Sequence, residues 1–220
     1  MVLPLRIAHR GMPRRARENT LLSFEAALAE DADGIELDVH ATADGVVVVH
    51  HDPRLKGGLD IATSPWDTVR RTSSAAGVEI PSLAEVCELV GDRAELFVEI
   101  KGARIERSVH AVLSAHRGRS AIHSFDRGAI ARLSRLDRRL RLGLLFEERV
   151  PDVAGLLAAH GALDAWPHHS LVDAPLVDAV HEARGRVIAW TANARRDIER
   201  LTALGVDGIC TDDVTLVAAA

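Results

Sequence analysis

Residues 34–52 read GIELDVHATADGVVVVHHD, and this stretch decides what kind of fold the chain can form. Its first part, GIELDV at 34–39, alternates aliphatic and acidic residues, so a β-strand here would have one apolar side and one ionic side. A turn containing Asp44 and Gly45 then leads to VVVV at 46–49, which predicts an antiparallel hairpin. With the turn centred near residues 43 and 44, Asp38 would face Val49 across the hairpin, and Glu36 would face His51.

Outside the hairpin, short aliphatic runs alternate with segments of helical spacing. The predicted strands are 5–9, 34–39, 95–101, 121–125, 142–146, 164–168, 186–191 and 207–211. The predicted helices are 18–31, 82–91, 105–116, 127–136, 152–160, 173–184 and 194–204, with a short one at the end. Such alternation implies parallel strands joined by right-handed crossovers.

Eight such units in 220 residues predict a compact α/β fold, a (β/α)₈ TIM barrel forming a single domain over 1–220. A doubly wound open sheet is the alternative, because periodicity alone does not show closure. Residues 53–80 interrupt the alternation after the β-hairpin extension. We expect a short irregular insertion loop there, of the kind that often forms a lid or a binding loop.

Composition excludes several classes of function. The net charge of −5 provides no overall basic field, so nucleic acid is not an expected partner. The two cysteines, Cys87 and Cys210, have neither metal-site nor CxxC spacing. No apolar segment approaches the roughly 20 residues that span a bilayer. We therefore expect no stable membrane insertion and a cytoplasmic location.

Polar residues gather where the first three predicted strands end. In a parallel barrel these ends open on one face and carry the catalytic groups. The candidates are His9, Arg10, Glu36, Asp38, His50, His51, Asp52, Glu99 and Lys101, with His123, His168, Trp190 and Asp212 at later strand ends. Any one histidine alone is more often structural, and either acidic pair alone could lie at an exposed edge. Their coincidence at three strand ends favours a site.

Three inward carboxylates need a compensating cation, because charged groups are rarely buried unpaired. Oxygen ligands suit Mg²⁺ or Ca²⁺ better than zinc. Together with two histidines, an arginine and a lysine, such a cation would form a site for a phosphate ester, in which the histidines transfer protons.

The chain also resembles a known family. The segments IAHRG, ENT, GIELDVHATADGVVVVHHD, IPSLAEV, VEIKG, HSFD, WTAN and DGICTDD occur in the order and spacing typical of glycerophosphodiester phosphodiesterases. The resemblance implies a (β/α)₈ barrel that uses a divalent cation to hydrolyse glycerophosphodiesters to an alcohol and glycerol 3-phosphate. The nucleophile could be water or the glycerol 2-hydroxyl, which would form a cyclic phosphate first.

Residue by residue, the resemblance implies three roles. The implied residues are His9 and His51 for acid and base catalysis, Glu36, Asp38 and Glu99 for the metal, and Arg10, Lys101 and Trp190 for the substrate. For Glu18 and Asn19 of ENT, a helix start is the main interpretation and a catalytic role is the alternative. The final TDDV departs from the family pattern and is interpreted as peripheral. Residues 53–80 also depart from it, which leaves the leaving group open.

Two alternatives remain open: a related barrel enzyme of the phospholipase C or sphingomyelinase D type, and a non-catalytic glycerophosphodiester-binding protein. In each case the partner would be a small-molecule phosphodiester, and the protein a monomer or a homodimer. The tetrapeptide AHRG occurs twice, at 8–11 and 115–118. We expect the first copy to end a strand in the site. In the second, Gly118 should end a helix as its C′ residue.

Overall fold

Within residues 3–218, the part of the chain that the structure describes, eight parallel β-strands form a barrel with helices outside it. The structure is a computed structural model. The strands in chain order are β1 (Leu5–His9), β2 (Gly34–Ala41), β3 (Val47–Val49), β4 (Glu95–Ile100), β5 (Ser120–Ser124), β6 (Arg141–Phe146), β7 (Asp164–Pro167), β8 (Ile188–Ala189) and β9 (Gly208–Thr211). Strand β3 stands outside the barrel and pairs antiparallel with β2.

The barrel closes between β7 and β8. The order of paired strands is β7-β6-β5-β4-β2-β1-β9-β8. Single parallel bridges join Ala165 to Val187 and His168 to Trp190, and the Ala165 amide donates to the Arg186 carbonyl at 2.8 Å. The prediction of a (β/α)₈ barrel is confirmed, and the open-sheet alternative is wrong.

Eight α-helices lie within residues 3–218. They are α1 (Leu21–Ala29), α2 (Trp66–Ala75), α3 (Leu83–Val90), α4 (Glu106–Ala115), α5 (Arg127–Leu136), α6 (Val153–His160), α7 (Ala174–Glu182) and α8 (Arg195–Leu204). Ser82 and Glu85 form a capping box at α3, and Asp173 caps α7. None of these helices has the length and apolar character needed to cross a membrane.

The insertion 53–80 is more ordered than the sequence predicts. It contains α2, whose segment WDTVRRTSSA buries only Val69 and Ser73, so its helical periodicity is weak in the sequence. A small separate core holds the insertion on the hairpin; it consists of Val48, Leu55, Ile61, Val69 and Ile80. The expectation of an irregular loop is therefore wrong for residues 66–75.

The predicted hairpin is confirmed, but its register is wrong by one residue. Val39, not Asp38, pairs with Val49. The turn leaves three residues between Thr42 and Val46, which are joined by a 2.9 Å backbone hydrogen bond, and Gly45 adopts a φ of +86°. A three-residue loop moves the centre of the turn by half a residue. The His50 amide consequently donates to the Asp38 carbonyl, at 2.9 Å.

The second AHRG ends a helix differently from the prediction. Helix α4 ends at Ala115, and His116 is extended, with φ −71° and ψ 134°. Gly118 is therefore not a left-handed C′ residue. Its requirement for glycine is steric, because a Cβ there would lie 2.1 Å from the Gly91 carbonyl oxygen.

An ion network closes the end of the barrel where the strands begin. The Arg186 guanidinium lies 3.0 Å from a Glu95 oxygen and 2.8 Å from an Asp164 oxygen, and Arg141 also donates to Asp164. The Asp164 carboxylate is fully buried, and the Glu95 carboxylate nearly so. Each of these buried charges is paired, so removing one partner would leave a buried charge without compensation.

We expect Arg186→Met to lower the free energy of unfolding by about 3–5 kcal/mol, because the buried Glu95 carboxylate would lose its counter-ion and Asp164 would keep only Arg141. Urea denaturation followed by circular dichroism measures the change. Arg138→Met is the matched control: Arg138 is exposed and forms no ion pair within residues 3–218, so the effect should stay below about 0.5 kcal/mol. Equal stability of the two variants would contradict this role of Arg186.

Candidate active site

The register of the barrel brings the predicted polar residues to one level. His9 pairs with Glu36 across β1 and β2, and Asp38 pairs with Glu99 across β2 and β4. Glu99 in turn pairs with His123 across β4 and β5. Because the strands are parallel, these residues all lie near the carboxyl end of the barrel.

A pocket of about 250 Å³ opens at this end. Its polar side is formed by His9, Arg10, Glu36, His51, Glu99, Lys101 and His123, and its apolar side by Phe125, Leu145, Trp166 and Trp190. Seven of the eight predicted site residues therefore line one pocket. The eighth, Asp38, is fully buried beside Arg10 and Lys101.

Asp38 is held by three neighbours. One carboxylate oxygen lies 2.9 Å from Arg10 Nε and accepts a hydrogen bond from Asn19 Nδ2 at 2.8 Å. The other oxygen lies 3.6 Å from Lys101 Nζ and accepts no hydrogen bond from residues 3–218. Burial raises the pKa of this carboxyl, but Arg10 and Lys101 outweigh burial and hold the pKa below its ordinary value. Asp38 is therefore ionised at neutral pH.

The pKa of Glu99 is shifted in the opposite direction. Burial and the nearby charges of Glu36 and Asp38 raise its pKa to about 8, although Lys101 Nζ lies only 2.9 Å away and opposes the shift. Without a cation, the Glu99 carboxyl is mostly protonated at neutral pH. A divalent cation would remove this repulsion.

The donor set fits a divalent cation. Glu36, Glu99 and His123 each offer one ligand atom, and these atoms lie within 4.8 Å of one another. The unpartnered Asp38 oxygen is a further buried acceptor at the same site. Closely spaced buried carboxylates are typical ligands of such an ion.

The ENT motif does more than begin a helix. Thr20 is the N-cap of α1, in agreement with the expected helix start. Asn19, however, has a φ of +56° and is buried, with its amide directed at Asp38. Glu18 accepts a 3.1 Å hydrogen bond from Arg10. The motif therefore also orients two predicted site residues.

His9 is oriented by Asp212, a strand-end candidate to which the sequence interpretation assigned no role. Its Nδ1 lies 2.7 Å from Asp212, and Asn193 Nδ2 donates to the other Asp212 oxygen at 2.7 Å. Burial lowers the pKa of His9, but the Asp212 hydrogen bond and the charge of Glu36 outweigh burial and raise the pKa above its ordinary value. The interpretation of TDDV as peripheral is wrong for Asp212.

His51 has a similar partner. Its Nδ1 lies 2.8 Å from the Asp52 carboxylate, whereas His50 Nδ1 contacts only the Asp52 carbonyl, at 2.9 Å. His51 lines the pocket. His50 is absent from the pocket lining, although it is the neighbour of His51 just after β3.

Aromatic rings form the apolar wall of the pocket. Trp190 Nε1 donates to the Trp166 carbonyl at 2.9 Å, which fixes the indole. Phe125 packs edge-on against Trp190, with 5.6 Å between ring centroids. The pocket thus places an apolar surface opposite its charged side.

We expect Asp212→Asn to lower the pKa of His9, because an amide stabilises the imidazolium less than a carboxylate does. NMR titration of the His9 Cε1 proton in metal-free protein measures this shift. Asp213→Asn, at the neighbouring residue, is the control and should leave the His9 pKa unchanged.

Asp212→Asn should also change how the free energy of unfolding depends on pH. Because the folded pKa of His9 is raised, its imidazolium stabilises the folded state fully below about pH 6.5, the value in an unfolded chain. That contribution disappears as the pH rises through the folded pKa. Asp212→Asn should therefore cost more stability at pH 5.5 than at pH 9, and an equal cost at both would contradict the assignment.

Comparison with known proteins points to one family. The family model described as "Glycerophosphoryl diester phosphodiesterase family" matches residues 9–216. The glycerophosphodiester phosphodiesterase of Caldanaerobacter subterraneus is 30% identical over 226 residues, which cover 94% of this chain and 93% of that protein. The Bacillus altitudinis enzyme of the same name is 30% identical over 227 residues, covering 93% of each.

Solved structures agree on the fold. A phosphodiesterase of Oleispira antarctica, solved in complex with the product sn-glycerol-3-phosphate, superimposes with a TM-score of 0.86 at 24% identity. The match covers 96% of this chain and 93% of that one.

Proposed function

Because this chain belongs to the glycerophosphoryl diester phosphodiesterase family and is a phosphoric diester hydrolase, we propose that it hydrolyses glycerophosphodiesters to an alcohol and sn-glycerol 3-phosphate. We propose a divalent cation, Mg²⁺ or Ca²⁺, as the cofactor. One observation carries the proposal: two carboxylate-bound histidines, two cationic side chains and a cluster of buried carboxylates share one pocket.

Glu36, Asp38 and Glu99 are the proposed ligands of the cation. When bound, the cation supplies Lewis-acid chemistry, which neutralises charge on the phosphoryl oxygens. The fit rests on the unpartnered Asp38 oxygen and on the raised pKa of Glu99.

His9 and His51 are the proposed acid and base. Each binds a carboxylate through Nδ1, so in the neutral ring the proton lies on Nδ1 and Nε2 can accept another. One imidazole would take the proton of the nucleophile, which is water or the glycerol 2-hydroxyl. The other would protonate the leaving alcohol oxygen.

Arg10 and Lys101 are the proposed phosphate contacts. Burial lowers the pKa of both side chains, but the carboxylates beside them outweigh burial and raise it, so both remain cationic. Arg10 has a φ of +54°, and its amide donates to Glu36 at 3.2 Å. Its guanidinium Nε lies 2.9 Å from Asp38. Trp190 would line the glycerol side through its fixed indole face.

The remaining expectations from the sequence stay predictions: a single domain over 1–220, a cytoplasmic location, a monomer or homodimer, and no nucleic-acid partner. The phospholipase-type lyase and the non-catalytic binding protein are outcomes that the following experiment separates.

We expect His9→Ala and His51→Ala each to lower kcat/KM about 10²–10⁴-fold, because each removes a proton-transfer group. Release of glycerol 3-phosphate from glycerophosphocholine, with Mg²⁺ or Ca²⁺ present, measures the loss. His116→Ala, in the second AHRG, is the matched control and should keep wild-type turnover.

Wild-type turnover in both catalytic variants would overturn the assignment of His9 and His51. A cyclic phosphate as the final product, detected by ³¹P NMR, would favour a lyase. Binding without turnover by the wild-type protein would favour a binding protein.

Binding of the cation should release a proton. With a pKa of about 8, metal-free Glu99 is largely protonated at pH 7 and must ionise to become a ligand. We expect Mg²⁺ binding to release close to one proton at pH 7 and almost none at pH 9.5. Calorimetry in buffers of different ionisation enthalpy measures the number of protons, and Glu99→Gln should abolish the difference. Equal release at both pH values in the wild-type protein would contradict the role of Glu99.

A further inference from the structure

We propose that His123 is a nitrogen ligand of the cation, so that the site selects metals such as Co²⁺ or Zn²⁺ over Mg²⁺ and Ca²⁺ more strongly than carboxylates alone would. The proposal rests on the proposed function only in placing a cation in this pocket. It changes the ligand set from oxygen donors alone to a mixed set.

His123 lies beside Glu36 and Glu99, two of the proposed ligands of the cation. It stands near the end of β5, paired in register with Glu99, and is 1% exposed. Its Nε2 is 3.7 Å from a Glu36 oxygen, which is beyond hydrogen-bond distance. Glu36, Glu99 and His123 nevertheless bring ligand atoms within 4.8 Å of one another. Such a spacing leaves room for an ion among the three.

The imidazole is fixed in this orientation. It stacks on Trp166 with ring centroids 3.9 Å apart and 6° between the planes. Trp166 is itself buried and packs edge-on against Phe97. The Nε2 edge is thereby held toward Glu36, and the ring cannot swing away without disturbing the interior of the barrel.

Among residues 3–218, Nδ1 of His123 lacks the hydrogen-bond partner that a buried polar atom usually has, and Nε2 has only the distant Glu36 oxygen. A ligating imidazole usually donates its other N–H to an acceptor, which raises its basicity. Without that acceptor, His123 should affect the preference among metals more than the total affinity.

The carboxylates divide into two groups. Asp38 is engaged by Arg10, Asn19 and Lys101, whereas Glu36 and Glu99 face His123. Imidazole nitrogen favours Co²⁺, Ni²⁺ and Zn²⁺, while carboxylates and water suit Mg²⁺ and Ca²⁺. A ligand set with one nitrogen should therefore bind both classes of metal, with a bias that depends on His123.

The test compares Co²⁺ and Mg²⁺ binding by calorimetry. We expect His123→Gln to weaken Co²⁺ binding about 10-fold or more and Mg²⁺ binding less than about 3-fold. The glutamine amide oxygen can occupy the ligand position, but it cannot supply the nitrogen donor that Co²⁺ prefers. His116→Ala should bind both metals as the wild-type protein does. Equal weakening for both metals would overturn the proposal, because His123 would then only position Glu36.

Pulsed EPR of bound Mn²⁺ tests the bond itself. We expect ¹⁴N coupling in the wild-type protein and in His9→Gln, and its loss in His123→Gln. No ¹⁴N coupling in the wild-type protein, or its loss in His9→Gln alone, would overturn the proposal even if the His123 variants do not fold.

Turnover of glycerophosphocholine, measured on the same wild-type preparation, separates the two proposals. Nitrogen coupling without turnover would support the His123 ligand and defeat the proposed function. Turnover without nitrogen coupling would support the proposed function and defeat the assignment of His123 as a ligand.

Discussion

The arrangement of the site depends on the mutual repulsion of three carboxylates buried on neighbouring parallel strands. Glu36 and Asp38 lie on one strand, and Glu99 lies beside Asp38 on the next. Burial makes each charge costly, so the surroundings must compensate. Asp38 receives Arg10, Lys101 and the Asn19 amide, and it stays ionised. Glu99 is compensated incompletely, so burial and the charges of Glu36 and Asp38 raise its pKa to about 8.

Buried carboxylates are compensated differently at the two ends of the barrel. Where the strands begin, the Arg186 guanidinium pairs directly with Glu95 and Asp164, so the charges are compensated without a metal ion. Where they end, an Asp38 oxygen and both nitrogens of His123 lack hydrogen bonds from the described residues. In the first arrangement each buried charge has a partner within the chain. The second lies at the end of the barrel that carries catalytic groups in parallel barrels, and this is the end to which we assign the proposed cation.

Much of the site could be predicted because it follows strand ends. The predicted strand ends gave a set of candidates, and the family resemblance selected eight of them; seven line one pocket, and the eighth, Asp38, is fully buried. The errors have local causes. A three-residue turn moved the hairpin by one residue, and a helix with only Val69 and Ser73 buried has too weak a periodicity to be recognised. The role of Asp212 was not predicted, because its partner, His9, is 203 positions away along the chain.

By itself the sequence determined the fold class, the face that carries the chemistry and the residue types on it, because alternation and strand ends are local properties. Only the tertiary structure decided which of those residues are partners. Asp212 orients His9, Asn19 holds Asp38, and His123 faces Glu36 and Glu99. These contacts join segments far apart in the chain, and they depend on the closure and register of the barrel. No local sequence pattern predicts these contacts, because they form only when all strands of the barrel are paired in register.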